Sequence, residues 1–271
     1  MANKMGMSTQ YPGLIFILVD QSASMKEAYG EQTKADISAM AVNRTIYEIG
    51  KACQQGAKIR DRCFIGVVGY GASVDLLLGG MISEILDNPK RMQKLTEKQP
   101  DKTGKLDDVT TEIPIWVEPK ADNGTPMADA FNEVFHATKA WVKKNPNNSP
   151  PTIINITDGQ PVNMAMTKLA AEQLMELKTT DGNVLILNAH ISNAAIAEDK
   201  LPNNDGSLHD EYARFLFSIS SILPEPLIAD AKQVGFSPQP NARGFVFNAR
   251  PETMIKLLKF GSLSGLRQPT Y

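Results

Sequence analysis

Asp20, Ser22 and Ser24 stand at alternating positions directly after the apolar run 14–19. One carboxylate and two hydroxyls offered from one short turn are hard oxygen donors, the ligands that small divalent cations take. Two further segments carry the same chemistry. Asp122-Asn123-Gly124-Thr125-Pro126 brings a hydroxyl at Thr125 to a predicted helix start, and Ile156-Thr157-Asp158-Gly159 ends an apolar run in a carboxylate. Each has an ordinary structural reading when taken alone. Ser22 and Ser24 could satisfy backbone donors in a turn, and Thr125 is a fitting helix N-cap. Asp158-Gly159 is a common strand-to-loop turn. Asp129, in the first turn of the helix after Pro126, favours the helix dipole and is not read as a ligand. What raises the set above these readings is convergence of five donors from three segments.

The elements that must position them follow from periodicity. Residues 14–19 are apolar throughout, which predicts a fully buried strand ending at Asp20. Thr33-x-x-Asp36 reads as a capping box, opening a helix with Val42, Ile46, Ile49 and Cys53 on one stripe. Residues 64–70 form a second buried strand, and Gly71-Ala72-Ser73 turns it into an antiparallel edge strand over 74–78. A surface helix is expected over 87–99, and an irregular polar segment over 101–123 with one extended piece at 113–117. Pro126 opens a helix whose stripe is Met127, Phe131, Val134, Phe135, Thr138 and Trp141. Strands at 152–157, 184–190 and 245–249 alternate with helices at 164–178, 211–221, 227–235 and 251–260, and 192–210 is loop-like. Alternating buried strands and amphipathic helices predict an α/β fold. It is doubly wound and Rossmann-like, with a mostly parallel central sheet, one antiparallel edge strand and helices on both faces. The chain reads as a single domain with a core of about 12–263 and short tails. In such sheets ligands lie at the carboxyl ends of the strands, which is where Asp20 and Asp158 fall.

Composition excludes several classes. A formal net charge of −2 and the lack of a basic run argue against nucleic acid. Apolar runs are strand-sized, short of the roughly 20 residues that span a bilayer, so no membrane association is expected. The first residues carry no signal-peptide core, and Cys53 and Cys63, the two cysteines, read as buried thiols rather than a disulfide framework. A cytoplasmic protein is the expectation. Gly66-x-x-Gly69-x-Gly71 lies in a strand and hairpin, so it fails as a dinucleotide loop and reads as close packing. Neither a phosphate-binding P-loop nor a nucleophile elbow occurs. His136, His190 and His209 have no metal-ligand spacing.

Together, Asp20-x-Ser22-x-Ser24, the Gly124-Thr125-Pro126 loop and Asp158 closing a later strand resemble the von Willebrand factor A domain with its metal-ion-dependent adhesion site. The resemblance covers nearly the whole chain. It implies a site for Mg2+, with Mn2+ or Ca2+ as alternatives, held by Asp20, Ser22, Ser24, Thr125 and Asp158. The serines contact the ion and the carboxylates often act through water. It also implies a non-enzymatic interaction module in which an Asp or Glu of a partner protein completes the ion's coordination. Within the family, the chain resembles bacterial stand-alone A domains that accompany a protein kinase and a protein phosphatase in tellurite-resistance clusters. This implies an adaptor in signalling or stress response. Two alternative functions stand beside it. A phosphohydrolase of the haloacid dehalogenase type would need a second Asp two residues after Asp20, where this chain has Ser22. A scaffold that ignores the metal would not need five intact donors. The partner surface is expected around the ion, at 21–30, 121–124, 160–163 and 192–210, with Met25, Tyr29 and Pro161 as apolar anchors.

Overall fold

Gly13–Asp20 (β1) is buried at every position because it has strands on both sides and helices over both faces. The computed structural model describes residues 6–100, 106–192, 197–263 and 266. Lys34–Cys53 (α1) follows β1, then Cys63–Tyr70 (β2) and the edge strand Val74–Met81 (β3). After Ile82–Asp87 (α2) come Arg91–Pro100 (β4), Leu106–Ile115 (β5) and Met127–Lys144 (α3). Thr152–Thr157 (β6), Met164–Glu176 (α4), Leu185–His190 (β7) and Asp199–Lys200 (β8) follow. Glu211–Ser218 (α5), Glu225–Gln233 (α6), Phe245–Phe247 (β9) and Pro251–Leu263 (α7) end the order.

The central sheet has seven strands in the order β8-β9-β7-β6-β1-β2-β3. The inner pairings are parallel, with Ile17 opposite Ile154 on one side and Val67 on the other. β3 runs antiparallel to β2 as expected, and the two-residue β8 adds an antiparallel strand at the far edge.

Strand alternation sends side chains to opposite faces. Ile15, Ile17 and Val19 pack with Val42, Ile46 and Ile49 of α1 and with Leu257 and Leu258 of α7. Leu14, Phe16 and Leu18 pack on the other face with Phe131 and Val134 of α3 and Leu174 of α4. The capping box forms as predicted: Thr33 Oγ1 accepts from Asp36 N, and Thr33 N donates to the Asp36 carboxylate. A side chain at Gly66 would meet the Phe16 ring at 2.3 Å, so this glycine serves packing. Cys53 and Cys63 are free and buried.

The surface helix expected over 87–99 is not formed. α2 stops at Asp87, and β4 pairs antiparallel with β5 from Arg91↔Ile115 to Pro100↔Leu106. The irregular segment expected over 101–123 is accordingly strand over Leu106–Ile115. Residues 91–100 carry no helical apolar stripe, and their order comes from a pairing with 106–115 that local patterning does not reveal. The base of this ribbon is tied down by Arg91, which donates two bonds to the Glu118 carboxylate at 2.6 and 3.0 Å. The irregular reading of 101–105 and the loop reading of 193–196 lie outside the described residues. Among the described residues no helix is long and apolar enough to cross a membrane.

Candidate metal centre

β1 ends by delivering Asp20 fully buried at the carboxyl rim of the sheet. Its Oδ1 accepts from Ser22 N at 2.8 Å and its Oδ2 from the Thr157 hydroxyl at 2.6 Å. Ser22 precedes a single 3-10 turn, Ala23–Lys26, and caps it with no side-chain bond. Its hydroxyl lies 3.0 Å from that of Ser24 instead. Both serine hydroxyls thus gather beside the Asp20 carboxylate and do not close the turn.

β6 ends next to β1 and carries Asp158. Gly159 has φ +100°, and a Cβ there would stand 3.0 Å from both His190 Cδ2 and Tyr212 Cβ. The backbone thus turns tightly beneath Asp158. Thr157 Oγ1 both donates to Asp20 and accepts from Gly159 N, so one hydroxyl links the two strand ends.

The loop before α3 reaches the same rim through its backbone. Asp122 N donates to Gln21 O at 2.5 Å, and Val162 N donates to Thr125 O at 3.2 Å. Gly124, at φ +80°, approaches Gly71 O so closely that a Cβ would stand 3.0 Å from it. The helix N-cap is Pro126, with no side-chain cap bond. The N-cap role open to Thr125 is therefore not taken, and no protein hydrogen bond engages its hydroxyl among the described residues.

The electrostatics show what the arrangement lacks. Burial lifts the Asp20 carboxyl from its ordinary 3.8 to about 6, although hydrogen bonds from Ser22 and Thr157 pull it down; the neighbouring Asp158 raises it further. A buried carboxylate whose charged neighbour is another carboxylate is short of positive charge. Among the described residues no group of three or more His, Cys, Asp or Glu could hold a metal ion. A cation at this rim would draw on hydroxyls and water beside the two carboxylates, and Ser22, Ser24 and Thr125 are the hydroxyl residues of the three segments. The donor set fits a hard divalent ion with oxygen ligands.

Two residues of the site escaped sequence reasoning. Lys34, the first residue of α1, has its side chain only 9% exposed, with Nζ 2.7 Å from Glu27 Oε2 and 3.5 Å from Asp158 Oδ2. The available signal was a lysine in the first turn of a capped helix, where the dipole disfavours it. His190 ends β7 with Nε2 3.0 Å from the Asp158 carbonyl and its ring stacked on Phe247. A carbonyl only accepts, so Nε2 carries the proton, and burial lowers this histidine from 6.5 to about 4.

Two expected anchors of the surrounding surface are corrected. Met25 is fully buried and Pro161 is buried. Met25 belongs to the core under α1, and the rim exposes Val162, Met164 and Met166 instead. Tyr29 remains partly exposed.

No protein-family model matches the chain, and no curated protein matches it. Solved structures similar to it include BatB of Bacteroides thetaiotaomicron, 14% identical, covering 66% of each chain at a TM-score of 0.40. The manganese-loaded TRAP protein of Plasmodium vivax is 12% identical, over 93% of this chain and 73% of that one, at 0.45. The ArnB paralog VWA2 of Sulfolobus acidocaldarius is 14% identical, over 68% and 36%, at 0.37. The chain thus spans just under two thirds of BatB and about a third of VWA2.

Proposed function

We propose that the chain is a single von Willebrand factor A domain, with a core over 12–263. In this reading it is a non-enzymatic protein-interaction module that uses a divalent cation at this rim. Ser22, Ser24 and Thr125 would hold the ion through hydroxyls, and Asp20 and Asp158 through carboxylates, directly or by water. Bound there, the ion supplies a coordination position for an acidic side chain of a partner. Mg2+ is the first choice and Mn2+ or Ca2+ the alternatives.

The observation that carries the reading is Asp20. It is buried and hydrogen-bonded by Ser22 and Thr157, and the one charge that acts on it is the carboxylate of Asp158, whose ion pair is with Lys34. A cation would relieve that repulsion. The exposed Val162, Met164 and Met166 beside the loop that bonds Thr125 would give a protein partner apolar contact around the ion. The resemblance to A domains that accompany a kinase and a phosphatase makes such enzymes the first partners to try, in a cytoplasmic signalling role.

The test is a thermal melt in chelator, Mg2+, Mn2+ and Ca2+. Wild type is expected to gain about 2.7 kcal/mol at a metal concentration one hundred times Kd, and Asp20→Ala to gain nothing. Equal melting of wild type in chelator and in all three metals would overturn the reading.

A further inference from the structure

Lys34 is placed against three physical preferences at once. Its ammonium is buried, it sits at the positive end of a helix, and it stands beside a rim proposed to take a divalent cation. A buried lysine is kept only where its charge is matched. Here Glu27 holds it at 2.7 Å from an exposed position, and Asp158, only 9% exposed, lies at 3.5 Å. The backbone reinforces the placement, since Lys34 N donates to Glu27 O at 3.0 Å. The ammonium is therefore fixed to the exit loop of β1, next to a carboxylate of the proposed ligand set.

The charges around the rim decide what this does. Asp20, Asp158 and Glu27 bring three negative charges and Lys34 one positive. A divalent ion makes that group neutral. Without Lys34 the loaded group would be negative and would repel an acidic side chain.

Resting on the proposed metal reading, we propose that Lys34 sets the selectivity of the site: it weakens the ion's hold on the rim so that the loaded site accepts a carboxylate. In the metal-free protein the same ammonium occupies Asp158. Removing its charge should therefore move two affinities in opposite directions. A lysine that merely supports the fold would move both the same way, or neither.

The experiment compares wild type, Lys34→Met, Lys34→Arg and Glu27→Gln. Mn2+ affinity is read from the electron paramagnetic resonance of the free ion. Acetate is then titrated into the Mn2+-loaded proteins, and its displacement of bound water is followed by water-proton relaxation. Lys34→Met should bind Mn2+ about tenfold more tightly and acetate about tenfold more weakly, the scale of one charge a few ångströms away at a partly solvated site. Lys34→Arg should behave as wild type. Glu27→Gln, with an unchanged far-ultraviolet circular dichroism spectrum as the check on its fold, should weaken Mn2+ binding by releasing the ammonium towards Asp158. Mn2+ binding by wild type with no gain in Lys34→Met, or with no loss in Glu27→Gln, overturns the inference alone. No Mn2+ binding by wild type overturns the metal reading, and the inference with it.

Discussion

Gly159 shows how tightly one position governs the rim. Its φ of +100° lies where side chains are strained, and a Cβ would press on His190 and Tyr212 at 3.0 Å. Gly159→Ala should cost about 1–3 kcal/mol from backbone strain. It should also shift Asp158 away from Asp20, so a metal-dependent rise in melting temperature should shrink while the far-ultraviolet circular dichroism stays the same. Melts with and without Mn2+ check this. At this scale the oxygen donors were legible because their chemistry is written in residue type. Asp20, Ser22 and Ser24 lie within five positions, and Thr125 and Asp158 each sit at an element boundary. Lys34 and His190 were not legible in the same way. A lysine after a capping box reads as solvated, and a histidine at a strand end reads as packing. Only the approach of β1, β6 and β7 puts both against Asp158.

At the scale of elements, the buried strands and helix stripes were readable because burial imposes period on residue type. β1, β2 and β6 are near-continuous apolar runs, and the Val42–Ile46–Ile49–Cys53 stripe lies in the core. The ribbon of β4 and β5 was not readable, since its order comes from the pairing of the two strands with each other and not from a helical or alternating apolar pattern. At its junction with the domain, one buried side chain holds three backbone groups. Asn43 on α1 is buried, and its Oδ1 accepts from Trp116 N and Val117 N at 2.9 and 3.0 Å while its Nδ2 donates to Val117 O at 2.7 Å. Asn43→Ala would leave those three backbone groups without partners and should cost about 2–4 kcal/mol in urea denaturation. The rim loop has its own tie, from Asp122 N to Gln21 O. The variant should therefore keep a metal-dependent shift, and loss of that shift would show that the ribbon junction also shapes the rim.

For the molecule as a whole, two ionisable groups of the site pull stability in opposite directions with pH. Asp20 is raised by burial from 3.8 to about 6. The native state holds its proton more firmly than the unfolded chain, so its contribution is fully present below 3.8 and is lost as pH rises through 6. His190 is depressed by burial from 6.5 to about 4. Its contribution is present above 6.5 and is lost as pH falls through 4. Each span is worth about 3 kcal/mol, and the two windows nearly coincide. In chelator, the wild-type chain should therefore show little change in unfolding free energy between pH 4 and 6.5 from this pair. Single substitutions should expose each half. Asp20→Asn should lose stability as pH falls across that window, because only His190 remains to take up protons on unfolding. His190→Gln should gain stability over the same fall, because only Asp20 remains. Urea unfolding at half-unit steps of pH measures both slopes, and like-signed slopes in the two variants would contradict the assignment. Saturating Mn2+ should remove the Asp20 half by holding its carboxylate ionised. The loaded wild type should then follow the acid-labile course of Asp20→Asn, with its metal-dependent gain shrinking as protons compete for Asp20 below about pH 6.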